Sequence, residues 1–594
     1  MAVNYKAPIN DIIFAYDVLD SYNILNKIEK FKDFGLDTLE PIVEECAKFA
    51  EEVLAPINSI GDKNGAIFDE GIVKMPPGFK EAYEKFTKAG WSSISLPSDI
   101  GGGGLPYGLS AAILEILCTA NMAFVLGPGL SIGAISGINF HANQGQKDMY
   151  LPDLVAGNWT GTMNLSEPQS GSDLSNISTK ATKQDDGTYR ITGTKIWIGS
   201  GEHDLSENII HLVLAKVPGS PEGTKGISMF IVPKFVVNDD SSLGGHNKVN
   251  CISIEEKLGI HGSPTCVMEY DGSVGYLIGE ENMGLNYMFT TINEARIRAG
   301  GHGLACTSGA LQGASQYARD RVQGRPVGMT KEEAKDSTII DHADVRRTLM
   351  TIKSYLDAMR YMNYDNHLML DLEYFAEGEL KDFGKERCGI LTPITKAWIS
   401  DLSVELTSMA IQVYGGMGYV EETGIAQYFR DARIAPIYAG TNGIQAEDLV
   451  FRKITLNDGK AVESLLKEMR TNISSMKEHE NLEPLSEILE RHVAEIEEAT
   501  QYLLKELGKG NLAGVSASGT PYLKMFGQVL GGHYMGKAAV TATKNLLEDN
   551  TEFYNDKFTL SKFYIEQLLP LASSYFSSVM LGKENLYSID SNSF

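Results

Sequence analysis

"QVYGGMGYVEETGIAQYFRDARIAPIYAGTNGIQ", residues 412–445, is the stretch on which the fold turns. A Gly-Gly turn, the acidic pair Glu421 and Glu422, the helix-like IAQYFRDARI and a Gly-Thr-Asn turn follow one another in an order that generic helix packing does not require. Upstream, apolar residues recur at helical spacing in INEARIRAGGHGLACTSGALQGASQYARDRV, DVRRTLMTIKSYLDAMRYM and PITKAWISDLSVELTSMAIQVYGG. The quoted stretch therefore closes a helical bundle domain over residues 286–455.

Working outward, the pattern changes before residue 286. TYRITGTKIWI, IIHLVLAKV and ISMFIVPKF are short runs of period two, rich in β-branched and aromatic residues, and they mark a β-domain over 158–285. LEPIVEECAKFAEEVLAPIN and LSAAILEILCTANMAFVL return to helical spacing and mark an N-terminal helical domain over 36–157, preceded by an extension of residues 1–35. The glycines at 101–104 read as a loop, because Pro106 and Tyr107 fall where a dinucleotide-binding GxGxxG would need its last glycine. Beyond the bundle, PLSEILERHVAEIEEATQYLLKEL sets Leu485, Leu489, Val493 and Ile496 on one face, so residues 456–594 form an additional C-terminal helical domain. The expected class is α+β multidomain and mainly α.

The bulk properties set limits. A chain of 594 residues with 43% hydrophobic and 22% charged content is long enough for several domains and ordinary for a folded protein. Its formal net charge of −25 repels phosphodiester backbones and anionic lipid, so nucleic acid is not an expected partner. Cys46, Cys118, Cys251, Cys266, Cys306 and Cys388 show neither a CxxC pair nor metal-ligand spacing, which suits buried reduced thiols and no metal site. The N-terminal MAVNYKAPINDIIFAYDVL has a polar interior, and no run reaches the ~18 apolar residues of a membrane span. A cytoplasmic protein without membrane insertion is the expectation.

Three separated stretches carry the functional signal. In TMNLSEPQSGSDLSN, residues 162–176, Ser166, Gly171 and Ser172 suit a turn whose backbone approaches a ligand closely, or a plain surface turn. In TKIWIGSGEHD, Trp197 lies on a strand that should end near the same edge, as core residue or as platform. The third stretch is 412–445 itself.

The order helical, β, helical, together with NLSEPQSGSD, KIWI, ARDRVQGR and QVYGGMGY…RDARIAPIYAGTNGIQ, resembles the acyl-CoA dehydrogenase family over roughly residues 40–455. The length and the extra C-terminal helices resemble its large bacterial subfamily, which includes 3-(methylsulfanyl)propanoyl-CoA dehydrogenases and broad medium- to long-chain enzymes. The resemblance implies FAD, with Met163, Leu165 and Ser166 lining the flavin ring and Trp197 packing on it. Gly199 stands where a Thr is common, so a side-chain hydrogen bond to the flavin is absent or supplied by Ser200. Arg321 and Gln323 match positions for the FAD diphosphate and adenine across a dimer interface, with Gln412 and Gly416 from the neighbouring subunit and Thr441 also at the cofactor. Ser172, Asn293, Arg296, Tyr438 and Gly440 match substrate positions, although a buried structural ion pair is the other reading of Arg296. The implied partners are an acyl-CoA, an electron-transferring flavoprotein as acceptor, and a second copy of the chain.

The family reaction is fatty-acyl β-oxidation chemistry: a carboxylate between the Tyr and Gly of this loop removes the α-proton while the β-hydrogen leaves as hydride. Here that residue is Ala439. It keeps the backbone N–H that polarises the thioester carbonyl but has no base. The expectation is an acyl-CoA dehydrogenase impaired at position 439. The alternatives are a base relocated to Glu294, a non-catalytic acyl-CoA-binding flavoprotein, and an acyl-CoA oxidase using oxygen.

Overall fold

The computed structural model describes residues 4–548 and 551–594. They form two compact units, one of residues 48–105 and 120–295, the other of residues 4–47, 106–119, 296–548 and 551–594.

The first unit is built on a seven-stranded sheet: β1 (Trp159–Asn164), β2 (Lys180–Lys183), β3 (Tyr189–Gly199), β4 (Asn208–Lys216), β5 (Ile227–Pro233), β6 (Val249–Ile254) and β7 (Thr265–Leu277). The order is β6-β7-β3-β2-β4-β1, and β5 pairs with both β7 and β4, which closes β7-β3-β2-β4-β5 into a ring. The period-two runs of the sequence became β3, β4 and β5. A strand absent from that reading is β1, which runs parallel to β4 and takes Thr162 to Asn164 out of the expected turn. Its WTGTMN sequence mixes strand-favouring Trp159, Thr160 and Thr162 with Gly161 and Asn164 and shows no polar–apolar alternation, since nearly every residue is buried, so a period-two search passes over it. One face packs Ile210, Leu212 and Leu214 against the helix Gln144–Ala156, and the other buries Ile191, Val213 and Phe230.

The long helix Tyr107–His141 breaks at Asn121, whose φ of −162° is not helical. The Asn121 Oδ1 accepts from Phe124 N at 3.1 Å, so a side-chain cap restarts the helix. This is the one described helix long and apolar enough to cross a membrane, yet 83% of its most apolar window is buried within the protein. The glycine run at 101–104 is a loop: a Cβ on Gly102 or Gly103 would strike the backbone of Leu96 or Ile94.

The second unit is helical. Its bundle consists of Gly284–Asp320 from Arg296 onward, Ala343–Phe375, Gly378–Val413 and Ile425–Ala432. The additional C-terminal region supplies Lys460–Lys477, Glu483–Gly508, Leu512–Glu548, Glu552–Phe563 and Ala572–Leu581. Leu485, Leu489, Val493 and Ile496 are all buried, as their spacing required. Leu512–Glu548 approaches the bundle closely, because a Cβ on Gly527 would run into the Trp398 ring.

Charge also binds the layers. Arg360 is fully buried and donates to both oxygens of Glu115 and to Asp357 Oδ1 at 2.8 Å. Lys557 from the C-terminal region reaches Asp357, and also Asp11 of the N-terminal extension at 2.6 Å. An extension and an appended domain that share ion pairs with the bundle are parts of one core. All six cysteines are buried thiols outside any disulfide.

Candidate active site

In the sheet unit the chain leaves β1 and loops over residues 165–179. Glu167 is the anchor: its carboxylate accepts from Ser178 N at 2.6 Å, Thr179 N at 3.0 Å, Thr179 Oγ1 at 2.6 Å and Lys195 Nζ at 2.9 Å. Lys195 also donates to Leu165 O at 2.9 Å. Burial alone would raise the Glu167 pKa, but Lys195 and the hydroxyl and amide donors outweigh it and hold the acid at about 2. Burial pulls Lys195 down to about 8 against the attraction of Glu167. Neither residue was among the sequence candidates. The signal lay in β3, where Lys195 falls on the inward phase of Tyr189 and Ile191 and so requires a buried carboxylate.

The loop fixes a partly open edge. Met163, Leu165 and Ser166 are half-buried, and Ile196 N donates to Ser166 O at 3.0 Å. Beside this edge β3 carries two residues, Ile196 and Trp197, against the single Val267 of β7, which is a bulge. Trp197 has φ +61° and is 60% exposed. The core reading of this Trp is thereby overturned, since the bulge turns the indole outward. An exposed indole beside an apolar edge fits a planar ring such as isoalloxazine. At Gly199 a Cβ would lie 2.8 Å from Leu130 Cδ1, so a Thr does not fit without movement. Ser200 is buried with φ +50°, and Ser172 is exposed. On the helix Gly284–Asp320, Asn293 is exposed while Glu294 is buried and accepts from Ser136 Oγ at 3.3 Å.

In the helical unit the sequence candidates Tyr438, Ala439, Gly440 and Thr441 form, with Asn442, a loop held by several hydrogen bonds. Ala439 has φ +54° and Gly440 φ +80°. A left-handed alanine is strained, a conformation that persists where the surroundings impose it. Here Gln445 Nε2 donates to Ala439 O at 3.3 Å and to Gly440 O at 3.2 Å. Tyr438 shares a hydrogen bond through its hydroxyl with His302 Nδ1. Burial pulls that imidazole down to about 3, aided by Arg298, so it is neutral. Thr441 caps the helix Asn442–Asp448 by accepting from Ile444 N. Asn442 closes the loop by donating to Asp401 at 2.7 Å and accepting from Lys396 Nζ at 2.7 Å.

Arg296 is buried and pairs with Asp448 Oδ2 at 3.2 Å, which is the ion pair its other reading named. It still borders the loop, for its Nη2 lies 3.8 Å from the Cβ position of Gly440. Arg321, Gln323, Gln412 and Gly416 are all exposed. The segments carrying them are joined by the stacked rings of Tyr317 and Tyr414, 4.2 Å apart.

The chain belongs to the acyl-CoA dehydrogenase family. Residues 37–158, 162–273 and 282–453 match its N-terminal, middle and C-terminal domains, and residues 465–590 match the family described as acetyl-CoA dehydrogenase C-terminal like. The chain is 40% identical to 3-methylmercaptopropionyl-CoA dehydrogenase of Ruegeria pomeroyi, over 97% of this chain and 98% of that protein. It is 30% identical to the broad-specificity linear acyl-CoA dehydrogenase FadE5 of Mycobacterium tuberculosis, over 96% of each. Among solved structures, an acyl-CoA dehydrogenase complexed with FAD from Bacillus anthracis superposes with a TM-score of 0.73 at 20% identity, covering 94% of this chain and 90% of that one.

Proposed function

We propose that this chain holds FAD and an acyl-CoA, polarises the thioester, and removes the α-proton only slowly because position 439 carries a methyl group. The reading is supported above all by the state of the loop: Ala439 keeps a strained left-handed backbone with every neighbour anchored, although its side chain can take no proton. A loop held this firmly keeps its amide preorganised for a developing oxyanion.

FAD, when bound, supplies the hydride acceptor. The residues that would hold it are Met163, Leu165, Ser166 and Trp197 toward the ring and Arg321, Gln323, Gln412, Gly416 and Thr441 toward the remainder. Arg321 and Gln323 serve this role across a homodimer, in a cytoplasmic protein that hands its electrons to an electron-transferring flavoprotein. Similarity to the Ruegeria protein supports 3-methylthiopropanoyl-CoA as first candidate substrate, and similarity to FadE5 supports linear acyl-CoAs as the second.

The test is anaerobic mixing of the flavin-loaded protein with a panel of acyl-CoAs, with Ala439→Glu in parallel. The expected result is a binding-induced flavin shift without bleaching in the chain as it stands, and bleaching ~10²–10⁴-fold faster in Ala439→Glu. Equally fast bleaching in both would place the base elsewhere and sink the reading.

A further inference from the structure

Three consecutive residues of β3 meet the loop that leaves β1, each in a different way. Lys195 is fully buried, and its ammonium donates to Glu167 Oε1 and to Leu165 O, both at 2.9 Å. Ile196 N donates to Ser166 O at 3.0 Å, and Trp197 turns its indole outward. Glu167 alone satisfies the charge of Lys195, so the second bond, to a carbonyl at the flavin edge, does something else. The peptide between Leu165 and Ser166 is trans, which sets its N–H antiparallel to its C=O. With the Leu165 carbonyl drawn onto the buried ammonium, the Ser166 N–H faces the opposite way. That N–H has no acceptor among the described residues, although Ser166 is half-buried. A backbone donor fixed in direction and left unpaired beside an exposed indole is available to an acceptor on a ligand.

We propose that Lys195 is a positioning residue of the flavin site, which aims the Ser166 N–H at the ring and strengthens it as a donor. An ammonium on the carbonyl draws electron density through the peptide, so the N–H at the other end bonds an acceptor more strongly. Such a donor favours the electron-rich reduced ring over the oxidised one. Lys195, with no exposed side chain, therefore acts through the peptide to raise both the affinity for flavin and its reduction potential. The inference rests on the placement of FAD against Met163, Leu165, Ser166 and Trp197 proposed above.

The experiment measures the FAD dissociation constant by flavin fluorescence and the reduction potential of the bound flavin. Lys195→Met alone would strand a buried carboxylate. The variant is therefore Lys195→Met/Glu167→Gln, which removes both charges and leaves an amide oxygen for Ser178 N and Thr179 N. FAD should bind ~10-fold more weakly and the potential should fall. Lys195→Arg keeps a charged donor and should hold both values near those of the unmodified chain. Thermal melting of the flavin-free proteins shows which variants fold. If Lys195→Met/Glu167→Gln does not, Lys195→Gln/Glu167→Gln, a neutral pair, replaces it with the same expected fall in potential. Weaker FAD at an unchanged potential would make Lys195 a structural residue only and overturn the inference. Trp197→Ala separates the two readings. If it weakens FAD while the Lys195 variants change neither quantity, the inference fails and the flavin placement stands. If Trp197→Ala also leaves the affinity unchanged, the ring lies elsewhere and both fall together.

Discussion

Lys557 sets its ammonium 2.8 Å from Asp357 Oδ2, and neither side chain is open to water. The two residues lie 200 positions apart, one in the appended C-terminal region and one in the bundle. Removing one partner of such a pair leaves the other charged and dry, which costs far more than the pair contributes. Here Asp357 keeps Arg360 and Asp11 keeps Lys353, so Lys557→Met should destabilise the protein by a smaller ~1–3 kcal/mol, the cost of the two hydrogen-bonded contacts that the ammonium made. A denaturant titration followed by circular dichroism checks this, and a loss below ~1 kcal/mol would mean that water reaches the carboxylates.

Glu167 gives a pH-dependent counterpart. Its folded pKa of about 2 lies below the ordinary 4.5, so its contribution is complete above 4.5 and is lost as pH falls through about 2. Glu167→Gln should flatten the acid limb of the stability profile in that window. It should also leave Lys195 buried without its counter-ion, at a cost of ~3–5 kcal/mol at neutral pH. Melting temperature against pH for both proteins tests the sign.

How far the sequence reached follows from the range of each interaction. Strands β3, β4 and β5 and the helix containing Leu485 to Ile496 were legible because alternation and 3.6-residue spacing are local. The site loop was legible because its Gly-Thr-Asn turn and flanking helix are contiguous. The Lys557–Asp357 pair was not, because on each helix alone both residues look like solvated positions. Arg296 was legible as a cation near the loop, but its partner Asp448 lies 152 residues away. Trp197 could not be resolved either, since one extra residue in β3 reverses the direction of its side chain.

That outward direction makes Trp197 separable from the fold. With 60% of the side chain exposed, Trp197→Ala should change stability of the flavin-free protein by no more than ~0.5 kcal/mol. Loss of ring stacking should weaken FAD by ~0.5–1.5 kcal/mol, or roughly 2–10-fold in affinity. Quenching of flavin fluorescence measures the second quantity and thermal melting the first. A core indole would show the opposite pattern, with a loss of ~3–5 kcal/mol in stability.

His302 ties the loop to the helix Gly284–Asp320 through Tyr438, and its acid behaviour is the last prediction. Its folded pKa of about 3 lies below the ordinary 6.5, so the unfolded chain binds the extra proton first. The stabilising difference is intact above 6.5, and it erodes steadily as pH falls toward 3. His302→Phe removes that titration and leaves the Tyr438 hydroxyl buried without its partner. Neutral-pH stability should drop by ~1–3 kcal/mol, while the slope between pH 6.5 and 3 becomes shallower than in the unmodified chain. The loop should also lose order, so the flavin shift on acyl-CoA binding should weaken in His302→Phe and return in His302→Gln, whose amide can still bond the phenol. If the shift is unchanged in His302→Phe, the Tyr438 contact is a packing detail and Gln445 and Asn442 alone hold the loop.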